Sequence, residues 1–153
     1  MLERTSKGAA LYIVIPAYNE SKNIRDLIDE WYPIIESHNC GGRSRMVIVN
    51  DGSTDGTYDI LSECAKSKPL LVLLSKENGG HGPALLVGYR YAIEHGADWI
   101  FQTDSDRQTD PAEFEFFWRE RHHYDAILGN RVHRQDGKSR KMVQGILLVL
   151  LKL

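Results

Sequence analysis

Basic residues are not in excess in this chain: 19 Lys and Arg stand against 21 Asp and Glu, a formal net charge of -2. That balance excludes a general nucleic-acid binder, which draws its affinity from many phosphate contacts. Cysteine is scarce too. The two present, Cys40 and Cys64, have no metal-ligand spacing and no disulfide framework, which fits a reducing cytoplasm. The N-terminal "MLERTSKGAA" lacks an apolar signal core, and "LYIVI" is too short for one before Pro16. The closing "GILLVLLKL" is only about half the length of a membrane-spanning helix. A chain that ends inside such a run is expected to be truncated at its C-terminus.

What is present is an ordinary soluble composition, 42% apolar and 26% charged, with no linker, repeat or low-complexity tract. One domain, 1–153, is expected. Short apolar runs alternate with helix-period stretches. "LYIVI" (11–15), "MVIVN" (46–50), "LLVLL" (70–74), "DWIFQT" (98–103) and "DAILG" (125–129) read as buried strands. Between the first two, Ile24, Leu27, Ile28, Trp31 and Ile35 repeat at helical spacing, with Ser21 as N-cap. A second helix follows Asp55 and turns Tyr58, Leu61 and Cys64 or Ala65 inward. A third runs from near Gly82 to His95 with Pro83 in its first turn, and a fourth starts at Pro111 and carries Phe114, Phe117 and Trp118. This alternation predicts an α/β fold, a mostly parallel sheet with helices on both faces.

In such sheets, ligands bind beyond the carboxyl ends of the strands. The first four strands run into "PAYNE", "DGSTDGT", "ENGGHG" and "DSDRQ", so four polar loops are expected on one edge. Taken singly, each loop has a bland reading. Asp51-Gly52-Ser53 suits a turn and helix cap, and "PAYNE" a capped loop. Gly79, Gly80 and Gly82 suit a turn before a helix, without forming a G-x-G-x-x-G fingerprint. His81 has no second His or Cys at ligand spacing and reads as a loop histidine. Asp104 and Asp106 repel each other unless solvent, hydrogen bonds or a cation offsets their charge. Two carboxylates at a strand end make a hard oxygen site for Mg²⁺ or Mn²⁺ as readily as a solvated turn. Asp110 before Pro111 is most simply a cap, and Asp55 is read the same way.

Together, "VIPAYNE", "VNDGSTDGT", "NGGHGPAL", "TDSDRQ" and "GNR" resemble, in order and spacing, the GT-A glycosyltransferases of inverting family 2. The likeness is to the branch of dolichol-phosphate mannose synthases and polyprenyl-phosphate sugar transferases, and covers nearly all of this chain. It implies a GT-A (Rossmann-like) fold and a nucleoside-diphosphate sugar donor, UDP- or GDP-linked. It assigns Pro16, Ala17, Tyr18, Glu20, Asp51, Gly79, Gly82 and Asp104 to the nucleotide or its sugar. It makes Asp106, with Asp104, the ligand of Mg²⁺ or Mn²⁺, and places Gln108 near donor or acceptor. Arg107 stands where many relatives carry a small or apolar residue, and either points away or adds a phosphate contact. Arg131 matches the arginine of the G-x-R element and is expected on phosphate.

The resemblance implies one displacement at the anomeric carbon. Charge grows on the leaving diphosphate, so a metal at Asp106 and a cation such as Arg131 act chiefly on the transition state. A hydroxyl acceptor needs a general base, whereas a lipid phosphate arrives already anionic. No clear base follows "DSDRQ", which favours the phosphate. The tract 131–141, "RVHRQDGKSRK", reads either as a solvated basic loop or as a surface for lipid phosphates at the cytoplasmic face of a membrane. The alternatives are a saccharide or other hydroxyl acceptor, nucleotide binding without turnover, and a bare doubly wound fold with a different phosphate ligand. Homodimer formation through the apolar tail stays open, as does the choice between uracil and guanine.

Overall fold

The structure, a computed structural model, describes residues 8–129, apart from the side chain of Cys40, and the backbone of residues 148–152. Six strands form one sheet: β1 (Leu11–Ala17), β2 (Arg45–Asp51), β3 (Leu71–Lys76), β4 (Trp99–Gln102), β5 (Ala126–Gly129) and β6 (Leu148–Lys152). Their spatial order is β3-β2-β1-β4-β6-β5. The first four are mutually parallel, with Val14 opposite both Val47 and Gln102. β6 runs antiparallel between β4 and β5. Within "GILLVLLKL", residues 148–152 thus pair as a strand, where the sequence reading measured the run against a spanning helix. No helix among the described residues is long and apolar enough to cross a membrane.

β1 lies at the centre and all seven of its residues are buried, as a strand covered on both faces requires. Its alternation sorts the core. Leu11, Ile13, Ile15 and Ala17 join the cluster with α1 (Ile24–Ser37), α2 (Thr57–Ser67) and α4 (Phe114–Glu120). Tyr12 and Val14 pack on the other face, with α3 (His81–Glu94). α1 buries Ile24, Leu27, Ile28, Trp31 and Ile35, the predicted stripe, and Tyr32 as well. Trp31 lies 5.4 Å, centroid to centroid, from Phe101 of β4. α3 uses small residues instead: Ala84, Gly88 and Ala92 are buried, and a Cβ on Gly88 would overlap Val14. That close approach lays the middle of α3 directly on β1 and β2.

Two expectations change in detail. α1 starts at Ile24 with Asn23, not Ser21, at its N-cap and no side-chain cap bond there, while the Ser21 amide donates to Asp55. Tyr58 is 46% exposed and Thr57 takes the buried position in α2. Pro33 sits inside α1 on its exposed side, removing one backbone donor without ending the helix. At the fourth helix, Asp110 caps as expected by accepting from Ala112 N, and a 3-10 turn at Pro111–Glu113 leads into α4.

Strand order fixes where a ligand belongs. The chain moves outward from β1 to β2 to β3, then α3 returns it to place β4 on the other side of β1. The order reverses at β1 and β4, and the four polar loops open beside that reversal.

Candidate functional site

The first two loops are laced together. Asn19, held at φ 54, donates its amide to Ser53 Oγ (3.0 Å), and its Oδ1 accepts from the Thr54 amide (2.8 Å). Glu20 N donates to Thr57 Oγ1 at 2.8 Å and Ser21 N to Asp55 Oδ2 at 3.1 Å. Asp55 Oδ1 also accepts from Thr57 N (3.0 Å). Hydrogen bonds from Thr57, then Ser21, hold the Asp55 carboxyl far below the usual range. Asp55 therefore does more than begin α2, because it also braces the "PAYNE" loop.

Asp51 ties the second loop to the third. It ends β2, is 3% exposed, and accepts on Oδ1 from Lys76 Nζ and from Gly79 N (3.0 Å). Its Oδ2 accepts from Gly80 N at 2.7 Å. Burial pushes the Asp51 carboxyl upward, but Lys76 and the two glycine amides outweigh it and the net direction is down. Lys76 also donates to the Glu77 carbonyl. Gly52 follows at φ +65, where a Cβ would sit 2.5 Å from Asn78 N, so the turn admits glycine alone without displacement.

The fourth loop closes the ring. Ser105 Oγ donates to Glu20 Oε1 (3.3 Å), while Glu20 Oε2 accepts from Asn23 Nδ2 (3.1 Å). Asp104 Oδ1 lies 3.0 Å from Nε2 of His81, the first residue of α3. Asp106 is exposed, and its Oδ1 accepts from Gln108 N at 3.0 Å. Arg107 adopts the left-handed φ of 57 and turns toward α1, pairing with Asp26 (2.8 Å) and with Glu30. Beneath the loop Tyr89 OH donates to Gln102 Oε1 (2.7 Å), and buried Thr103 Oγ1 has no partner among the described residues.

The loops enclose a cleft of about 390 Å³ lined by Pro16, Ala17, Tyr18, Glu20, Asp51, Asn78, Gly80, His81, Ala84 and Ser105. Of the residues expected at a nucleotide, Pro16, Ala17, Tyr18, Glu20 and Asp51 line it. Gly79 and Gly82 do not, and their neighbours Gly80 and His81 take those places. Asp104 reaches the cleft through its contact with His81, and Asp106 and Gln108 lie two and four residues further along the chain. Arg131 and the tract 131–141 lie outside the described residues. Sequence reasoning set His81 aside for want of a ligand-spaced partner. Its partner is a carboxylate 23 positions away, which only the α3 crossover brings near. The one available signal was its place at the start of a helix following the glycine loop.

A doubly wound sheet with a polar cleft at its switch point is an α/β domain with a ligand site at its strand ends. A family model described as glycosyl transferase family 2 matches residues 12–148, and the chain belongs to that family. The dolichyl-phosphate beta-glucosyltransferase ALG5C of Trichomonas vaginalis is 36% identical over 106 residues, covering 67% of this chain and 31% of that protein. An undecaprenyl-phosphate 4-deoxy-4-formamido-L-arabinose transferase of Pectobacterium carotovorum is 27% identical over 143 residues, covering 92% and 42%. The chain thus spans less than half the length of these curated relatives. S. aureus TarS 1-349, solved with UDP-GlcNAc, superposes with TM-score 0.62 at 23% identity, covering 85% of this chain and 37% of that one. This likeness shows the GT-A fold. Mannosyltransferase PcManGT of Pyrobaculum calidifontis, solved with GDP-Man and Mn²⁺, superposes with TM-score 0.52 at 29% identity, covering 63% and 27%.

Proposed function

We propose that this chain is the donor-binding part of a metal-dependent, inverting glycosyltransferase that moves a sugar from a nucleoside diphosphate to a polyprenyl phosphate. The observation that carries this is the convergence of four strand-end loops, with Asp104 next to the cleft and Asp106 two residues beyond. The relatives' names, a dolichyl-phosphate and an undecaprenyl-phosphate transferase, support the acceptor class. A phosphate acceptor also asks least of this chain, since it needs no general base.

The donor set fits a hard divalent cation. Asp104, with 17% of its side chain exposed, and Asp106 offer only oxygen. Among the described residues no three His, Cys, Asp or Glu converge as a cage. A cation shared between one or two carboxylates and substrate phosphates needs none. Asp106 would be its principal protein ligand, with Asp104 facing the ribose or sugar, and the cation would neutralise charge developing on the leaving diphosphate.

The protein's own groups do the rest. Asp51 orients the base, and Pro16 to Tyr18 wall the base and ribose. The N-terminal turn of α3, starting at His81, would present backbone N–H groups to the diphosphate, while the Gly80 amide is held by Asp51. Gln108 would contact donor or acceptor. Arg131 supplies a cation to phosphate, and the basic tract after it would bring the domain to the cytoplasmic face of a membrane carrying the acceptor.

The test is thermal unfolding with UDP, GDP or CDP, with and without Mn²⁺, on the wild type and Asp106→Ala. A ligand at a hundredfold excess over Kd adds about 2.7 kcal/mol, which at roughly 2 to 4 °C per kcal/mol gives a shift of about 5 to 10 °C. A shift that needs both Mn²⁺ and Asp106 supports the reading. No shift with any nucleotide defeats it. Transfer of labelled sugar to dolichyl phosphate, set against a saccharide acceptor, then tests the acceptor class.

A further inference from the structure

We infer that the donor's base is uracil, and that Lys76 sets this choice by occupying Asp51. The inference rests on the donor-site reading above and goes beyond it by naming the nucleotide.

A carboxylate offers about four lone-pair positions on two oxygens. At Asp51 three are filled from within the protein. Lys76 Nζ and the Gly79 amide take Oδ1, and the Gly80 amide takes Oδ2. One position remains, on Oδ2. The side chain is 4% exposed yet lines the cleft, so that position is offered to a ligand there and not to bulk solvent.

The bases ask different things of such a group. Uracil carries a single ring N–H between two carbonyl oxygens, and one acceptor satisfies it. Guanine presents a ring N–H and an amino group side by side, a pair that a carboxylate meets with both oxygens. With Oδ1 doubly occupied, Asp51 cannot accept from both guanine donors, so the second must turn to another group of the cleft such as Asn78, and a donor buried without such a partner is costly. Cytosine carries a bare ring nitrogen where uracil has its N–H, and sets a lone pair against the carboxylate. Glu20, the other carboxylate of the cleft, does not supply the missing acceptor readily, because its oxygens hold Asn23 and Ser105. Lys76 is thus a specificity-determining residue that acts through Asp51. It is also the one partner of Asp51 that a side-chain substitution can remove, since the other two are backbone amides.

The experiment measures Kd for UDP and GDP in saturating Mn²⁺ by calorimetry, on the wild type and on Lys76→Met. The expected wild-type preference for UDP is about tenfold or more, the usual consequence of one unpaired polar group. In Lys76→Met, Oδ1 regains a free position and the ratio falls to within about threefold. Equal affinity, or tighter GDP, in the wild type overturns the inference while leaving the donor site standing. A UDP preference unchanged by Lys76→Met overturns the role of Lys76. If the variant does not fold, competition of UMP against GMP on the wild type decides the base. If neither nucleotide binds, the donor-site reading itself fails and this inference falls with it.

Discussion

Gly52→Ala tests whether the second and third loops form one rigid wall of the cleft. Gly52 has φ +65, a conformation that costs a residue with a Cβ about 1 to 2 kcal/mol. Its Cβ would also meet Asn78 N at 2.5 Å, a backbone atom whose own loop is pinned by Gly79 and Gly80 to Asp51. Relieving that overlap costs about 1 to 3 kcal/mol more, as overpacking generally does. Alanine also stiffens the unfolded chain, which returns about 0.4 to 1 kcal/mol. The sum is a destabilisation of about 1 to 4.5 kcal/mol.

Gly42 supplies the control. It has a similar φ of +77 but nothing within 4 Å of where its Cβ would stand. Gly42→Ala should therefore cost only about 0 to 1.5 kcal/mol. Both variants would be measured by urea unfolding, with the slope checked for constancy so that midpoint differences convert to free energy. Gly52→Ala should in addition weaken UDP binding, because the displaced Asn78 lines the cleft, whereas Gly42→Ala should not. If Gly52→Ala costs no more than Gly42→Ala, the third loop yields freely and the rigid-wall argument is wrong.

Asp106→Ala should abolish the Mn²⁺-dependent part of nucleotide stabilisation in thermal unfolding while leaving the unliganded melting temperature nearly unchanged, since Asp106 is exposed. Lys76→Met should narrow the UDP-to-GDP preference in calorimetry. Arg107→Ala should destabilise more than Arg107→Gly: both lose the pairs to Asp26 and Glu30, but only alanine keeps the left-handed strain. Added salt should shrink the gap between wild type and Arg107→Gly in the same urea assay. Asp51 and Asp55 are both held below the ordinary carboxylate value of 3.8. Folding therefore favours their charged forms, and the stability they add is complete above about pH 4 and is lost as pH falls through their folded values. Urea midpoints followed downward from about pH 6 should show wild type losing stability faster than Asp55→Asn, and parallel curves would refute this.

Much of the fold was legible because strand and helix signals here are local. The first five strands are apolar runs bounded by turn residues, and the α1 stripe repeats within one element. What escaped was decided between elements. Ser21 carries the usual signature of an N-cap, but residues 20–24 close a turn on the Glu20 carbonyl, Ser21 N reaches Asp55 34 residues on, and the helix starts later. Tyr58 has the right spacing for the core, yet Thr57 is the residue buried there while its hydroxyl meets Glu20 and Asp55. Residues 148–152 have the composition of a buried helix segment, and a five-residue apolar run cannot choose between helix and strand until a partner strand is present.

The candidate site divides along the same line. Residue type is written in the sequence, and free bonding capacity is not. Asp51 was legible as a carboxylate at a strand end, with a ligand's base as its expected partner. How many hydrogen bonds it still has to offer depends on Lys76, Gly79 and Gly80, 25 to 29 positions away, which reach it only because β2 and β3 pair in register, with Asp51 opposite Lys76. The same registration places one cation and two amides against one acid, leaving Asp51 a single position to offer the cleft. A base with one donor meets that acceptor fully, whereas a base with two cannot. The step from "a nucleotide binds here" to "this nucleotide binds here" is therefore made by strand pairing, which brings ordinary residues together and uses up their valences before any ligand arrives.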